Sequence, residues 1–310
     1  MRALICPASL KGVLTAREAA AALAHGFRQA GAEAVELPVA DGGEGTMAAL
    51  YAARGGRWHE VEVSDAFGRP RRALWLSLPD GTAVVESAQA IPLDPSRLDP
   101  LAASSRGLGE LIVAVDRPLR LLIGLGGTAT VDGGAGLLEV VRELPSPTLV
   151  ACDALVPLVD AARLFSAQKG ASPEQARALE ERLLAMEELR PYADLPGAGA
   201  AGGLGAALAF LGARLLPGAD LVLDEIGFDP SGFDLVVTGE GQVDRTTWTG
   251  KAPGRVAARC AQAGVRCVVF GGRVLVELEG AETVALSGDP SRAAEDLVAL
   301  GRRLAVSGRD

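Results

Sequence analysis

The sequence predicts an α/β protein. A mostly parallel sheet covered by helices is assembled from both ends of the chain, and a second domain of mixed α and β character is inserted between them. Three observations predict it. The first sixty residues alternate β-α-β-α, the stretch after residue 234 resumes that alternation, and the intervening texture turns to strands separated by tight-turn signals. At 310 residues the chain is long enough for two cores rather than one.

The elements follow in order. Residues 3–6, Ala-Leu-Ile-Cys, form a short apolar strand. Thr15-Ala16-Arg17-Glu18 has capping-box spacing, so a helix starts there; it runs to Ala30 and stops at Gly31. Ala34 to Ala40 returns as a strand ending at Asp41-Gly42-Gly43-Glu44-Gly45-Thr46, and a second helix ends at Gly55-Gly56. Alternating strands broken at Gly68-Arg69-Pro70 and Pro79-Asp80-Gly81 then read as antiparallel β. Residues 120–127 and 147–153 are buried strands, and Ser172-Pro173-Glu174-Gln175 opens a well-capped helix. After 234 come the strand Phe-Asp-Leu-Val-Val-Thr-Gly-Glu-Gly, a helix over 253–263 and the strand Val-Arg-Cys-Val-Val-Phe-Gly-Gly. The expected domains are 1–58 with 235–310, and 59–234.

Composition removes several function classes. A net charge of −9 argues against a nucleic-acid surface, which needs clustered positive excess. Cys6, Cys152, Cys260 and Cys267 form no C-x-x-C pair and read as reduced, buried thiols. His25 falls in a helix and His59 in a strand, which leaves no histidine-based metal site or triad. The beginning of the sequence lacks the long apolar run of a signal peptide, so a cytoplasmic enzyme is expected. Residues 195–213 carry no charge, but six glycines fit a loop entering a buried helix better than a membrane span.

Chemistry concentrates in glycine-rich loops at predicted strand ends: Pro7–Gly12, the loop from Asp41, Gly124–Gly136, and the segment from Thr238. Glycine lets backbone N–H groups close on a phosphate. The same loops carry the acids Asp41, Glu44, Asp132, Glu240 and Asp244, which suit a magnesium ion or a proton transfer. Of 30 Lys+Arg only three are lysine, Lys11, Lys169 and Lys251, each beside a glycine or alanine. Ammonium is a compact point charge suited to phosphate or carboxylate. No Walker-type P-loop is present. A rival motif is: Gly124-Leu125-Gly126-Gly127-Thr128-Ala129 matches the dinucleotide fingerprint, with Asp153 ending the next strand. Val131-Asp132-Gly133-Gly134 prolongs that loop beyond where the fingerprint's helix should begin.

Taken together these loops resemble the bacterial type of glycerate kinase family with the Asp-Gly-Gly-Glu-Gly-Thr signature. The resemblance rests on residues 9–16, 40–46, 124–136, 167–172, 196–208 and 237–253, in that order along nearly the whole chain. It implies a flavodoxin-like parallel-sheet domain with an inserted mixed α/β domain, an active-site cleft between them, and phosphorylation of glycerate by ATP with magnesium. The 2-hydroxyl is the acceptor suggested by the relatives. Ala8 stands where the family usually carries Asp, and Val156 where it usually carries Asn. Residue chemistry then assigns the roles. Lys11 and Lys251 lie at the transferred phosphoryl, and Asp132 orients or deprotonates the hydroxyl. Ser9, Thr128, Thr130, Asp153 and Lys169 hold polar groups of the substrate. The loops at Gly42, Gly43 and Gly45 and at Gly239 and Gly241 cradle phosphates, while Asp41 and Glu240, supported by Asp244, hold magnesium. Two alternatives stay open, an NAD-dependent oxidoreductase using the Gly124 loop and a non-catalytic relative that binds hydroxy acid or nucleotide. The partners expected are glycerate and ATP, with no nucleic acid and no membrane, as a monomer or a homodimer.

Overall fold

A computed structural model describes residues 1–277 and 280–307. The first leg contains β1 (Arg2–Pro7), α1 (Ala16–Gln29), β2 (Glu33–Glu36) and α2 (Thr46–Arg54). Next come β3 (Arg57–Ser64), β4 (Pro70–Ser77), β5 (Thr82–Glu86), α3 (Ser87–Ala90), α4 (Arg106–Ala114) and β6 (Arg120–Leu125). The middle closes with α5 (Ala135–Val140), β7 (Thr148–Cys152), α6 (Ala161–Phe165), α7 (Pro173–Leu184), α8 (Ala200–Phe210), β8 (Arg214–Pro217) and α9 (Gly218–Glu225). The last leg is β9 (Leu235–Val243), α10 (Arg245–Trp248), α11 (Ala252–Ala263), β10 (Cys267–Val274), β11 (Glu282–Ala285) and α12 (Ala293–Ser307).

The chain divides into two units. One comprises Met1–Asp41, Ala48–Ala53 and the chain from Val222; the other comprises Gly42–Met47 and Arg54–Leu221. The division falls at different residues from 58 and 234, and the contacts say why. Strand β3 pairs along its whole length with β4, which takes residues 54–58 into the inserted unit. Residues 222–234 go with the chain ends: Asp234 exchanges backbone and side-chain hydrogen bonds with Arg2, and Asp224 pairs with Arg259 at 2.7 Å.

The unit built from the chain ends has a five-stranded sheet in the order β2-β1-β9-β10-β11, parallel throughout. Counted within this sheet the order is 2-1-3-4-5, the flavodoxin-like winding, and it reverses between β1 and β9. Ile5, Leu23, Phe27, Val237, Phe270 and Leu300 form its core. The Thr15–Glu18 capping box starts α1 as its spacing predicts. The expected strand at 34–40 is shorter, because Pro38 has no N–H to give; Leu37 and Val39 still donate to Ile5 and Pro7 of β1.

The inserted unit holds a six-stranded sheet in the order β3 to β8, antiparallel from β3 to β5 and parallel from β5 to β8. Val85, Leu121, Ile123 and Val150 of its strands pack with Leu108 and Leu204. A smaller cluster of Leu158, Leu179, Leu183 and Leu189 sits under Val131. All four cysteines are free and buried, and no helix of the described residues is long and apolar enough to cross a membrane.

Candidate active site

Polar clusters form at strand ends in each unit. In the chain-end unit the reversal of strand order leaves a gap at the carboxyl ends of β1 and β9, where open α/β sheets place ligands. After β1 the chain turns at once. Ala8 N–H donates to Gly239 O at 2.8 Å, and Leu10 and Leu14 exchange backbone bonds that close the turn. Leu10 is buried in the core, while Ser9 and Lys11 on either side of it are exposed. Gly241 brings the neighbouring loop alongside: a Cβ there would lie 3.7 Å from Leu10 Cα and from Lys11 N.

Glu240, near the end of β9, is mostly buried and takes two partners. Its Oε2 accepts from Lys251 Nζ at 3.1 Å and its Oε1 from Thr247 Oγ1 at 2.8 Å. Burial raises its pKa, Lys251 and Thr247 oppose that, and the charge of Asp41 adds to the rise. Asp41 and Glu240 are therefore within electrostatic reach of each other. Among the described residues no group of three or more His, Cys, Asp or Glu could hold a metal ion. Two carboxylates without a full cage suit magnesium, which keeps several waters and completes its octahedron with substrate phosphates. Asp244, assigned from sequence to the metal, is the N-cap of α10. Its Oδ1 accepts from Thr246 N–H and Oγ1, and its Oδ2 accepts from Gln242. Those bonds hold its carboxyl down at about 2.

In the inserted unit the loop after β6 carries Thr128, Thr130 and Asp132, all buried. Leu93 N–H donates to Gly127 O and Ala129 N–H to Ile91 O, and Gly133 N–H donates to Gly202 O. Gly202 is needed there, since its φ is +73° and a Cβ would meet Thr130 O at 2.1 Å. Lys169 is 3% exposed and donates to Thr130 O at 2.7 Å and to Thr128 Oγ1 at 3.4 Å. Burial lowers its pKa to about 8, against the pull of Asp153 and Asp132. The Thr130 hydroxyl is buried without a partner, and Asp153 is exposed at the end of β7.

Asp132 braces this loop. Its Oδ2 accepts from Ser105 N–H and Oγ at 2.8 and 2.7 Å and from Gly136 N–H at 3.2 Å; its Oδ1 accepts from Gly134 N–H. Both oxygens are occupied, and they occupy the start of α5. That disposes of the dinucleotide reading. The fingerprint needs a pyrophosphate on the helix N-terminus, whereas here the loop runs on to Gly134 and a carboxylate caps a six-residue helix.

The Gly42–Met47 segment crosses the carboxyl ends of the inserted sheet. A Cβ on Gly124 would meet Gly42 O at 2.6 Å, and one on Gly126 would meet Gly43 Cα at 2.9 Å. Two residues in this region carry no sequence signal of their own. Ser105 holds Asp132 from 27 positions away, and Glu86 receives Met47 N–H at 2.7 Å.

Comparison with known proteins settles the family. The glycerate kinase family model matches residues 3–142 and 145–289. The chain belongs to that family. A glycerate 2-kinase of Escherichia coli strain K12 is 38% identical over 309 residues, covering 83% of this chain and 81% of its own length. The glycerate kinase of Bacillus subtilis strain 168 is also 38% identical, over 311 residues with the same coverage. Among solved structures, one described as a candidate glycerate kinase 2 from Salmonella typhimurium LT2 superposes with a TM-score of 0.81 at 33% identity. It covers 99% of this chain and 98% of its own. Membership of the family agrees with the loss of the dinucleotide alternative on geometric grounds.

Proposed function

We propose that the protein transfers the terminal phosphoryl group of ATP to a hydroxyl of glycerate, the 2-hydroxyl as in the relative named glycerate 2-kinase. The observation that carries this is the cluster at the strand-order reversal. An exposed lysine, Lys11, stands on a turn fixed by Leu10, beside a loop whose Glu240–Lys251 pair is held by Thr247. Phosphoryl transfer asks for positioned cations and little covalent work, because charge spreads over the transferred oxygens in a loose transition state. Among the described residues Lys11 makes no ion pair that would have to break, so its ammonium is available to a phosphate. Lys251 shares its charge with Glu240 and is steered by it.

Magnesium, when bound, neutralises charge on the phosphates. Asp41 and Glu240 would hold it, since each Glu240 oxygen keeps a lone pair beyond the one hydrogen bond it accepts. Asp244 positions α10, whose Thr247 bonds Glu240. Two glycine loops offer backbone N–H groups to phosphate, the one at Gly42, Gly43 and Gly45 in the inserted unit and the one at Gly239 and Gly241 in the chain-end unit; in the first the Gly45 N–H is itself bonded to Glu86. Ser9, Thr128, Thr130 and Asp153 remain the groups for the polar parts of glycerate. Asp132 and Lys169 also hold the Thr128–Thr130 loop in shape, Asp132 accepting four hydrogen bonds and Lys169 donating two within the unit.

Coupled detection of ADP release with purified protein, ATP, magnesium and D-glycerate tests the proposal, with other hydroxy acids as a panel. Glycerate should give the highest rate. No release above the glycerate-free background would sink the kinase reading. Tight glycerate or ATP binding without turnover would instead support a non-catalytic relative.

A further inference from the structure

Glu86 ends β5 in a surrounding that a carboxylate rarely tolerates. It is 2% exposed. Its Oε1 accepts Met47 N–H at 2.7 Å, and the Gly45 N–H and the Gln89 side chain also bond it. Among the described residues the charge that bears on it is that of Glu44, which has the same sign; Gln89 of α3 and Gly124 of β6 present none. A buried carboxylate without a cation is costly, so its acceptors must do what an uncharged side chain cannot. Both backbone donors it takes lie in the 42–47 segment, which Gly42 and Gly43 hold against β6 and its following loop. The Thr46 hydroxyl in the same segment is fully buried without a partner, so Glu86 is the segment's polar anchor at its far end.

We propose that Glu86 is a positioning residue for the 42–47 loop, its carboxylate fixing the Gly45 and Met47 N–H groups and through them the backbone donors offered to phosphate. The proposal rests on the phosphate-cradle reading of that loop. Burial pushes the Glu86 carboxyl up to about 7, with Glu44 adding to the rise and the Met47 and Gly45 bonds opposing it. Protonation adds a hydrogen to one oxygen and removes the charge, so the grip on the loop weakens as pH falls through that value. The effect on stability has the opposite sign. Because the folded-state value lies above the ordinary 4.5, the ionised form costs stability as pH rises from 4.5 towards 7.

The test compares full-length wild type with Glu86→Gln, which keeps one acceptor oxygen and cannot ionise. At pH 8 deuterium exchange in a peptide spanning residues 42–53 should be about tenfold faster in the variant, with the β5 and β6 peptides unchanged. Its melting temperature should stay within about 2 °C of wild type or rise above it. kcat/KM for ATP should fall about tenfold or more, and the acidic limb expected near pH 7 in the wild-type profile should be missing from the variant's. Unchanged exchange in the 42–53 peptide would overturn the proposal, as would a variant keeping both the wild-type kcat/KM and the acidic limb. A wild-type protein that never turns over glycerate would overturn the kinase reading instead, and the exchange comparison would still decide the role of Glu86.

Discussion

At the scale of single residues, the three lysines separate by environment. Lys11 is exposed on a turn, Lys251 is half-buried against Glu240, and Lys169 is sealed inside the inserted unit. Each environment predicts a different phenotype. Lys11→Ala should lower kcat/KM about a hundredfold through lost charge neutralisation, with the melting temperature within about 1 °C of wild type. An unchanged rate would make the lysine an ordinary surface residue. Asp244→Ala should cost about 1 kcal/mol in urea unfolding, the usual worth of an N-cap. Because the folded Asp244 carboxyl sits at about 2 and its ordinary value is 3.8, its contribution is present above that range and fades as pH falls through 2. The gap between wild type and variant should therefore close in strong acid, and a gap constant down to pH 2 would contradict the capping account.

At the scale of elements, what could be read from the sequence was local. Thr15 with Glu18 and Ser172 with Gln175 form the capping boxes their spacing announces, because every partner lies within one helical turn. The roles of Asp132, Lys169 and Glu86 were not legible. Ser105 reaches Asp132 across 27 positions, Lys169 reaches Thr130 across 39, and Glu86 reaches Met47 across 39. Without those partners an acid in a glycine loop gives no hint of the backbone N–H groups that Asp132 satisfies. The start of α8 makes a similar point. Ala201, Gly202 and Gly203 take left-handed backbone in succession, so regular helix begins at Leu204 and the bend lies against Thr130 and Gly133. Gly202→Ala should cost about 3 kcal/mol, since the added methyl both strains φ and strikes the carbonyl that Lys169 holds. A urea midpoint equal to wild type would show that the loop yields freely.

At the scale of the whole molecule, the alternation of the first and last legs foretold a sheet made from both chain ends. The strand order, with its reversal between β1 and β9, explains why two lysines and an acid, at positions 11, 251 and 240, share the carboxyl end of one sheet. That end of the sheet suits metal-assisted chemistry on phosphate. Chelation by EDTA should abolish turnover and added magnesium restore it, while full activity in excess chelator would remove Asp41 and Glu240 from the metal's coordination. The reaction itself can be followed directly. Phosphorus NMR of the protein incubated with ATP, magnesium and D-glycerate should show ADP and a phosphomonoester coupled to the C2 proton of glycerate. A spectrum in which ATP stays intact, or in which phosphate appears free and never on glycerate, would contradict it.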